Sequence, residues 1–216
     1  MIVIKTHSGL CNRLRMVFSF YYLSLEKKEK LYVIWTPQGN CPGFFLDYFH
    51  PIDNIEFVKK NTKKYKITNN ENWCEKYSPY KMYVYEKLKP LPNIQKIINK
   101  NMKLLNNDYI AVHIRRTDHK PPKHRYTSDE DFIDFIEKNK NKNLFIATDN
   151  YDTQKKFYDK YKKQIKVLNF IHPNKDLRQT SLKIAIVDLY MCINSTNFKG
   201  SGWSSFTSTI SQIRNY

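Results

Sequence analysis

Residues Tyr109–Ile114, YIAVHI, form a short apolar, β-branched run that breaks off abruptly into Arg115, Arg116, Thr117 and Asp118. A run of this length and composition reads as a buried strand. In open α/β sheets, ligands bind just beyond the carboxyl ends of the strands. Two adjacent guanidiniums at such a place suit a phosphate or pyrophosphate, because the planar fork donates paired hydrogen bonds to oxyanions.

The surrounding chain supports a sheet of that kind. Tyr109–Ile114 is followed by a helix over Ser128–Lys138, with Ser128 and Asp131 in capping-box spacing. Leu144–Ala147 reads as a strand ending in Thr148, Asp149 and Asn150, Thr153–Lys162 as a helix, and Ile165–Phe170 as a further strand. Leu182–Ile193 is a strongly apolar helix, Phe198 marks a short strand, and Ser205–Arg214 closes the chain as a helix. Four strand–helix units in sequence predict a parallel, Rossmann-like sheet. Nearer the start, Ile2–Ile4 and Leu31–Trp35 are strands around a helix whose stripe is Leu14, Val17, Phe18, Tyr21 and Leu25. That order is a βαβ unit. Residues 37–108 are less regular: Phe44–Phe49 reads as a short helix, Ile55–Val58 as a strand, Lys59–Tyr80 as long loops and Ile94–Leu105 as a helix. The cluster Asn106–Asn107–Asp108 is the candidate boundary between an N-terminal α/β domain, 1–107, and a C-terminal Rossmann-like domain, 108–216.

The polar residues of the C-terminal half fall at one edge of the expected sheet. Arg115, Arg116 and Asp118 follow the first strand, and Asp149 follows the second. Gly200–Phe206, GSGWSSF, opens the last helix. There the hydroxyls of Ser204 and Ser205 and the free N–H groups of the first turn suit a phosphate, although Ser at this place also serves as a plain N-cap. Gly9 sits where a loop meets the first helix, which suits an anion or simply a turn. Asp188 lies inside the apolar stretch IAIVDLYMC, where an unpaired carboxylate is costly. It either pairs with a nearby base or accepts the N1–H and N2–H donors of guanine. His113 is likewise either a core histidine or a ligand contact.

His113-x-Arg115-Arg116-Thr117-Asp118 resembles the first motif of the GDP-fucose-dependent fucosyltransferases, the α1,6- and protein O-fucosyltransferase superfamily. The loop Gly9-Leu10-Cys11-Asn12-Arg13-Leu14 is similar to that family's Gly-x-x-Asn loop, with Cys11 where a glycine is common. Thr148-Asp149-Asn150 is similar to its second motif, and Ser204-Ser205-Phe206 to its third. The resemblance implies an α/β, GT-B-like architecture: two Rossmann-like domains with parallel sheets facing a cleft, and GDP-fucose mainly on the C-terminal domain. It implies an inverting, metal-independent glycosyltransferase moving fucose to a glycan hydroxyl in an α1,2- or α1,6-type linkage. Its partners are a nucleotide-sugar donor and a carbohydrate acceptor, with no cofactor, no metal and no nucleic acid. By the same resemblance Arg115 binds the β-phosphate and stabilises the departing GDP, a role for fixed cations where no metal serves. Gly9, Asn12, His113, Arg116, Asp149, Asp188, Ser204, Ser205 and Phe206 complete the GDP-fucose contacts. At this length the resemblance implies a minimal version of the fold, without the membrane anchor of secretory relatives.

The general base departs from the family pattern. In the α1,6 branch a carboxylate follows Arg-Arg-x-Asp, whereas here His119-Lys120-Pro121-Pro122-Lys123-His124 follows, with no acid before Asp129. His119, whose ordinary pKa suits the task, and Asp118 are the candidates.

Composition sets the competing readings. Lys and Arg number 37 against 20 Asp and Glu, a formal charge of +17, which attracts polyanions such as nucleic acid, anionic lipid and nucleotides. The basic residues are spread along the chain, and the abundance of Lys, Asn, Ile and Tyr is also what an AT-rich genome imposes without function. A non-enzymatic polyanion or RNA binder is therefore one alternative, and a family member that binds GDP without catalysis is another. Cys11, Cys41, Cys74 and Cys192 show no zinc spacing and fit free thiols in a reducing compartment. The start is too short and polar for a signal peptide, and no run approaches a membrane span. The chain reads as soluble and cytoplasmic.

Overall fold

A computed structural model describes residues 1–68, 73–77, 83–169, 171 and 179–215. The chain divides into two compact units, Met1–Pro92 and Asn93–Asn215. The division falls just after the first residue of helix α2 (Pro92–Leu104), whereas the sequence reading sets it behind that helix, at 107–108.

In the first unit, β1 (Ile2–Lys5), β2 (Leu31–Ile34) and β3 (Ile55–Val58) form a parallel sheet in that order. Helix α1 (Leu10–Glu26) connects β1 to β2 as the βαβ pattern requires. Its stripe of Leu14, Val17, Phe18 and Tyr21 is buried, while Leu25, in the last turn, is 46% exposed. Phe44–Phe49 is not a full helix: only Phe45–Asp47 turns, as a single 3-10 turn. The aromatic side chains explain why. Phe45 stacks on Phe57 of β3 at 3.9 Å and packs edge-on against Trp35 at 5.4 Å, so tertiary contact sets the backbone there. Residues 59–68 and 73–77 contain no helix or strand, and the rest of the expected 59–80 loop lies outside the described residues.

In the second unit, β4 (Tyr109–Ile114) is the central strand of a parallel sheet ordered β5-β4-β6, with β5 over Asn143–Thr148 and β6 over Asn197–Gly200. All of β4 is buried, as a strand covered by helices on both faces must be. Its alternation divides the work. Ile110, Val112 and Ile114 enter a core with Phe132 and Ile136 of α3 (Asp129–Glu137) and Phe157 and Tyr161 of α4 (Tyr151–Tyr161). Tyr109 and His113 face the other way. Tyr109 donates to the Met191 carbonyl of α5 (Leu182–Ile193), and His113 meets α6 (Ser205–Arg214). The expected α/β class with parallel sheets therefore holds in both units.

The strand expected over Ile165–Phe170 does not form among the described residues of that range. Ile165 anchors in the core and Leu144 donates to the Gln164 carbonyl, but 166–169 pair with no strand and Leu168 is 45% exposed. Phe170 lies outside the described residues. The sheet's third place is taken by β6, from a stretch whose only apolar residue is Phe198.

Candidate functional site

From β4 the chain passes through α3 to β5 on one side, and it returns later to β6 on the other side. The strand order reverses at β4, so the gap beyond the carboxyl ends of β4 and β6 is the topological switch point, where open α/β sheets bind ligands. The segment after β4 carries Arg115 and Arg116, and the segment after β6 carries Ser201–Ser204. They are joined: Arg115 N donates to Ser201 Oγ at 2.9 Å, and Ser201 N to the His113 carbonyl at 2.9 Å.

Asp149, at the end of β5 and 6% exposed, organises the arginine segment. Its carboxylate accepts from Arg116 N at 2.9 Å and from the Thr117 hydroxyl, and it pairs with Arg115 Nη1 at 2.6 Å. The sequence reading gave Asp149 to the ligand, whereas these three bonds give it protein partners. Arg116 is likewise engaged. Its Nη2 bonds Asp129 at 2.7 Å and the Thr127 carbonyl at 3.2 Å, and its guanidinium lies over Tyr126 and Phe132. Arg115 differs. Its Nη2 pairs with the exposed Asp118 and its Nη1 with Asp149, which leaves Nε–H and the second hydrogen of each Nη to donate. Arg115 is thus the arginine of the pair with more donor hydrogens left over.

His113 is 6% exposed, stacks on Phe206 at 4.6 Å, and shares a 2.9 Å hydrogen bond between Nδ1 and Thr207 Oγ1. Burial pushes its pKa down to about 3, with Arg115 and His119 adding to the effect against the pull of Asp149, so the ring is neutral. Gly200 permits that contact, because a Cβ there would run into Thr207. His119 Nε2 lies 2.9 Å from the Gly202 carbonyl. A carbonyl only accepts, so Nε2 carries the proton and Nδ1 of neutral His119 keeps its lone pair. Burial also lowers the His119 pKa, opposed by that carbonyl bond. Asp129, the first acid after the motif, is paired with Arg116 and, at 2.7 Å, with Lys156.

Ser204 is the N-cap of α6, its hydroxyl accepting from Thr207 N at 3.4 Å. Ser205 is half-buried in the first turn, and among the described residues its hydroxyl has no partner. Asp188 is not joined to this group. It is 5% exposed on α5, accepts from Asn169 Nδ2 at 2.5 Å, and is pushed up to about 8 by burial. Gly9 and Asn12 lie in the first unit. Gly9 caps α1 without a side-chain bond, Asn12 is exposed, and no acid occupies the first turn. Among the described residues, no three His, Cys, Asp or Glu side chains are grouped to hold a metal ion, and no helix is long and apolar enough to cross a membrane. All four cysteines are buried, and none of them forms a disulfide.

Sequence reasoning named Gly200–Phe206 as one stretch without separate parts for Ser201, Gly202 and Trp203, and it missed Thr127 and Thr207. Thr127 Oγ1 accepts from Gly202 N at 2.9 Å, and Trp203, 58% exposed with φ at +55°, has Arg125 over its ring at 4.6 Å. Only Gly202 carried a signal, as the second glycine of GSGWSSF.

No protein-family model matches the sequence, and no curated protein matches it. Solved structures do. The NodZ α-1,6-fucosyltransferase soaked with GDP-fucose aligns over 98% of this chain and 91% of its own, with a TM-score of 0.66 and 12% identity. This chain has the NodZ fold. The same enzyme co-crystallised with GDP gives a TM-score of 0.65 at 12% identity, over 99% of this chain and 91% of its own. Fucosyltransferase NodZ from Bradyrhizobium gives 0.65 at 12%, over 99% and 92%. The likeness to these fucosyltransferase structures is one of fold, α/β with parallel sheets.

Proposed function

We propose that the chain is a cytoplasmic, inverting glycosyltransferase that takes fucose from GDP-fucose and transfers it to a glycan hydroxyl without a metal. One observation carries the reading: at the switch point between β4 and β6, Arg115 keeps donors free on the segment after β4, and the segment after β6, joined to it by the Arg115 N–Ser201 Oγ bond, leads into the first turn of α6 with the Ser205 hydroxyl. Such a pair of cationic and dipolar donors is what a nucleoside diphosphate needs, and donors fixed in place stabilise the charge that develops on GDP as the sugar departs. NodZ structures with GDP-fucose and GDP support the choice of nucleotide. In this reading His113 and Asp188 contact the nucleoside, and Asp149, Arg116 and Phe206 position the groups that touch it. Gly9 and Asn12 approach the donor from the first unit, and Asp118 orients Arg115. His119 Nδ1 takes the acceptor proton.

A second reading, GDP binding without transfer, is favoured by one fact: Asp129 is consumed by Arg116 and Lys156 and cannot act as the base. Calorimetric titration of GDP, GDP-fucose and GDP-mannose in EDTA, on wild type and Arg115→Ala, tests both readings at the donor site. Metal-free GDP-fucose binding that the variant loses supports them, and no guanine-nucleotide binding overturns them. Transfer to a glycan panel, abolished in His119→Ala with GDP affinity retained, then separates the first from the second.

A further inference from the structure

The opposite edge of the second unit's sheet has a character of its own. The turns that precede its strands are tied together. Lys142 Nζ bridges Asp108 at 2.5 Å and Thr196 Oγ1 at 3.3 Å, and Asn143 Nδ2 donates to the Leu105 carbonyl at 3.2 Å. Gln164 Nε2 donates to the Lys140 and Lys142 carbonyls, both at 3.1 Å. Residues 103–108, 137–142 and 162–166 therefore share one face, where α2, α3 and α4 end. Lys103, Lys138, Lys140, Lys162, Lys163 and Lys166 are exposed on it. With Lys142 these stretches hold seven lysines against two acids, Asp108 and Glu137, a net of +5. Asp108 is paired with Lys142, and Glu137 accepts from the Tyr161 hydroxyl.

Lysines near helix C-termini often serve only to satisfy the last carbonyls. Arg214 does this for α5, donating to the Cys192 and Ile193 carbonyls. Of the six exposed lysines only Lys166 bonds a carbonyl, that of Lys163. The remaining charge is directed outward.

We infer that this lysine face docks the chain on an anionic lipid surface. The charge complementarity is direct, and its form selects lipid over nucleic acid. The three stretches contain no arginine and no aromatic residue, so they lack the forked and stacking donors that grip phosphates and bases. Helix carbonyl ends, not N–H ends, meet the face, which disfavours phosphates seated against the backbone. Lysines on long stems suit a diffuse charged plane with no register to read. Leu104, 50% exposed among them, supplies an apolar contact for the headgroup layer. The docking leaves the switch point on the far edge, about 20 Å away along β4 at strand rise.

The test is co-sedimentation of the full chain with phosphatidylcholine vesicles, with and without phosphatidylglycerol. Binding to the anionic vesicles alone, weakening as salt rises, is expected. Lys140→Glu with Lys163→Glu lowers partitioning by about 30-fold or more, since each lysine near an anionic surface is worth about five-fold. The unfolding midpoint of that variant, followed by circular dichroism, stays at the wild-type value and shows that the fold survives. Leu104→Ser weakens lipid binding. Absence of binding to anionic vesicles, equal binding to neutral ones, or tighter binding to single-stranded RNA lost in the same variant each overturns the inference. None of these outcomes depends on GDP, so the docking face and the proposed donor site fail separately.

Discussion

At the residue scale, Asp149 decides whether the arginine segment has a shape at all. It lies at the end of a buried strand and holds the Arg116 amide, the Thr117 hydroxyl and the Arg115 guanidinium. Without it the Arg116 amide and the Thr117 hydroxyl lose their acceptor and Arg115 keeps Asp118 alone, and each polar group so orphaned costs about 1–3 kcal/mol. Asp149→Ala should lose that much stability in urea and lose calorimetric GDP binding as well, although Asp149 touches no ligand in this account. Wild-type stability in the variant would show that the segment is held by something else. Gly202 makes a steric counterpart. Its amide is held by Thr127, and a Cβ at this position would press into the Arg125 backbone carbonyl, which cannot rotate away. Gly202→Ala should therefore cost about 1–3 kcal/mol, read as a lower unfolding midpoint.

At the scale of elements, α6 separates two serines that look alike in sequence. Ser204 caps the helix and Ser205 does not. Ser204→Ala should lower stability by about 1 kcal/mol, the ordinary worth of an N-cap. Ser205→Ala should leave urea unfolding unchanged and weaken GDP binding in calorimetry; the reverse pattern would remove Ser205 from the site. Much at this scale was legible beforehand. Ser128 and Asp131 form the full capping box that their spacing announces, and Ile55–Val58 is a strand over those very residues. What stayed hidden depends on distant partners. The short strand expected at Phe198 is β6, but nothing local in NFKG places it beside β4, nor does anything local in 165–169 forbid a strand there. The single turn at Phe45 is set by Trp35 and Phe57, and neither lies within one helical turn of it in the chain. The site shows the same division. Arg115 and the serine pair announce themselves as a local pattern, while the commitment of Asp149 to the arginine segment exists only across β4 and β5.

At the scale of the whole molecule, two buried titratable groups of the second unit pull stability in opposite directions with pH. His113 sits near 6.5 in an unfolded chain and is pushed down to about 3 by burial in the folded one. Between those values the unfolded chain binds a proton that the folded chain refuses, so stability is lost as pH falls from 6.5 toward 3. Asp188 sits near 3.8 unfolded and is pushed up to about 8 by burial, against the Asn169 hydrogen bond. The folded chain then holds a proton that the unfolded chain gives up, and stability is lost as pH rises from about 4 toward 8. Across the range from 4 to 6.5 the two slopes oppose each other and cancel. Above 6.5 only Asp188 of the two still acts, so stability should decline from there toward pH 8 by up to about 1.4 kcal/mol per unit, the value of one proton. Urea midpoints measured from pH 4 to 9 should trace a plateau with a shoulder falling on the alkaline side. Asp188→Asn removes the titrating carboxyl while keeping an acceptor for Asn169, and it should flatten that shoulder alone. The same substitution bears on nucleotide recognition. If Asp188 accepts the donors of guanine, it must first lose its proton, so wild-type GDP affinity should rise with pH up to about 8 and Asp188→Asn should make it level. An alkaline shoulder that persists unchanged in the variant would place the titration on another group.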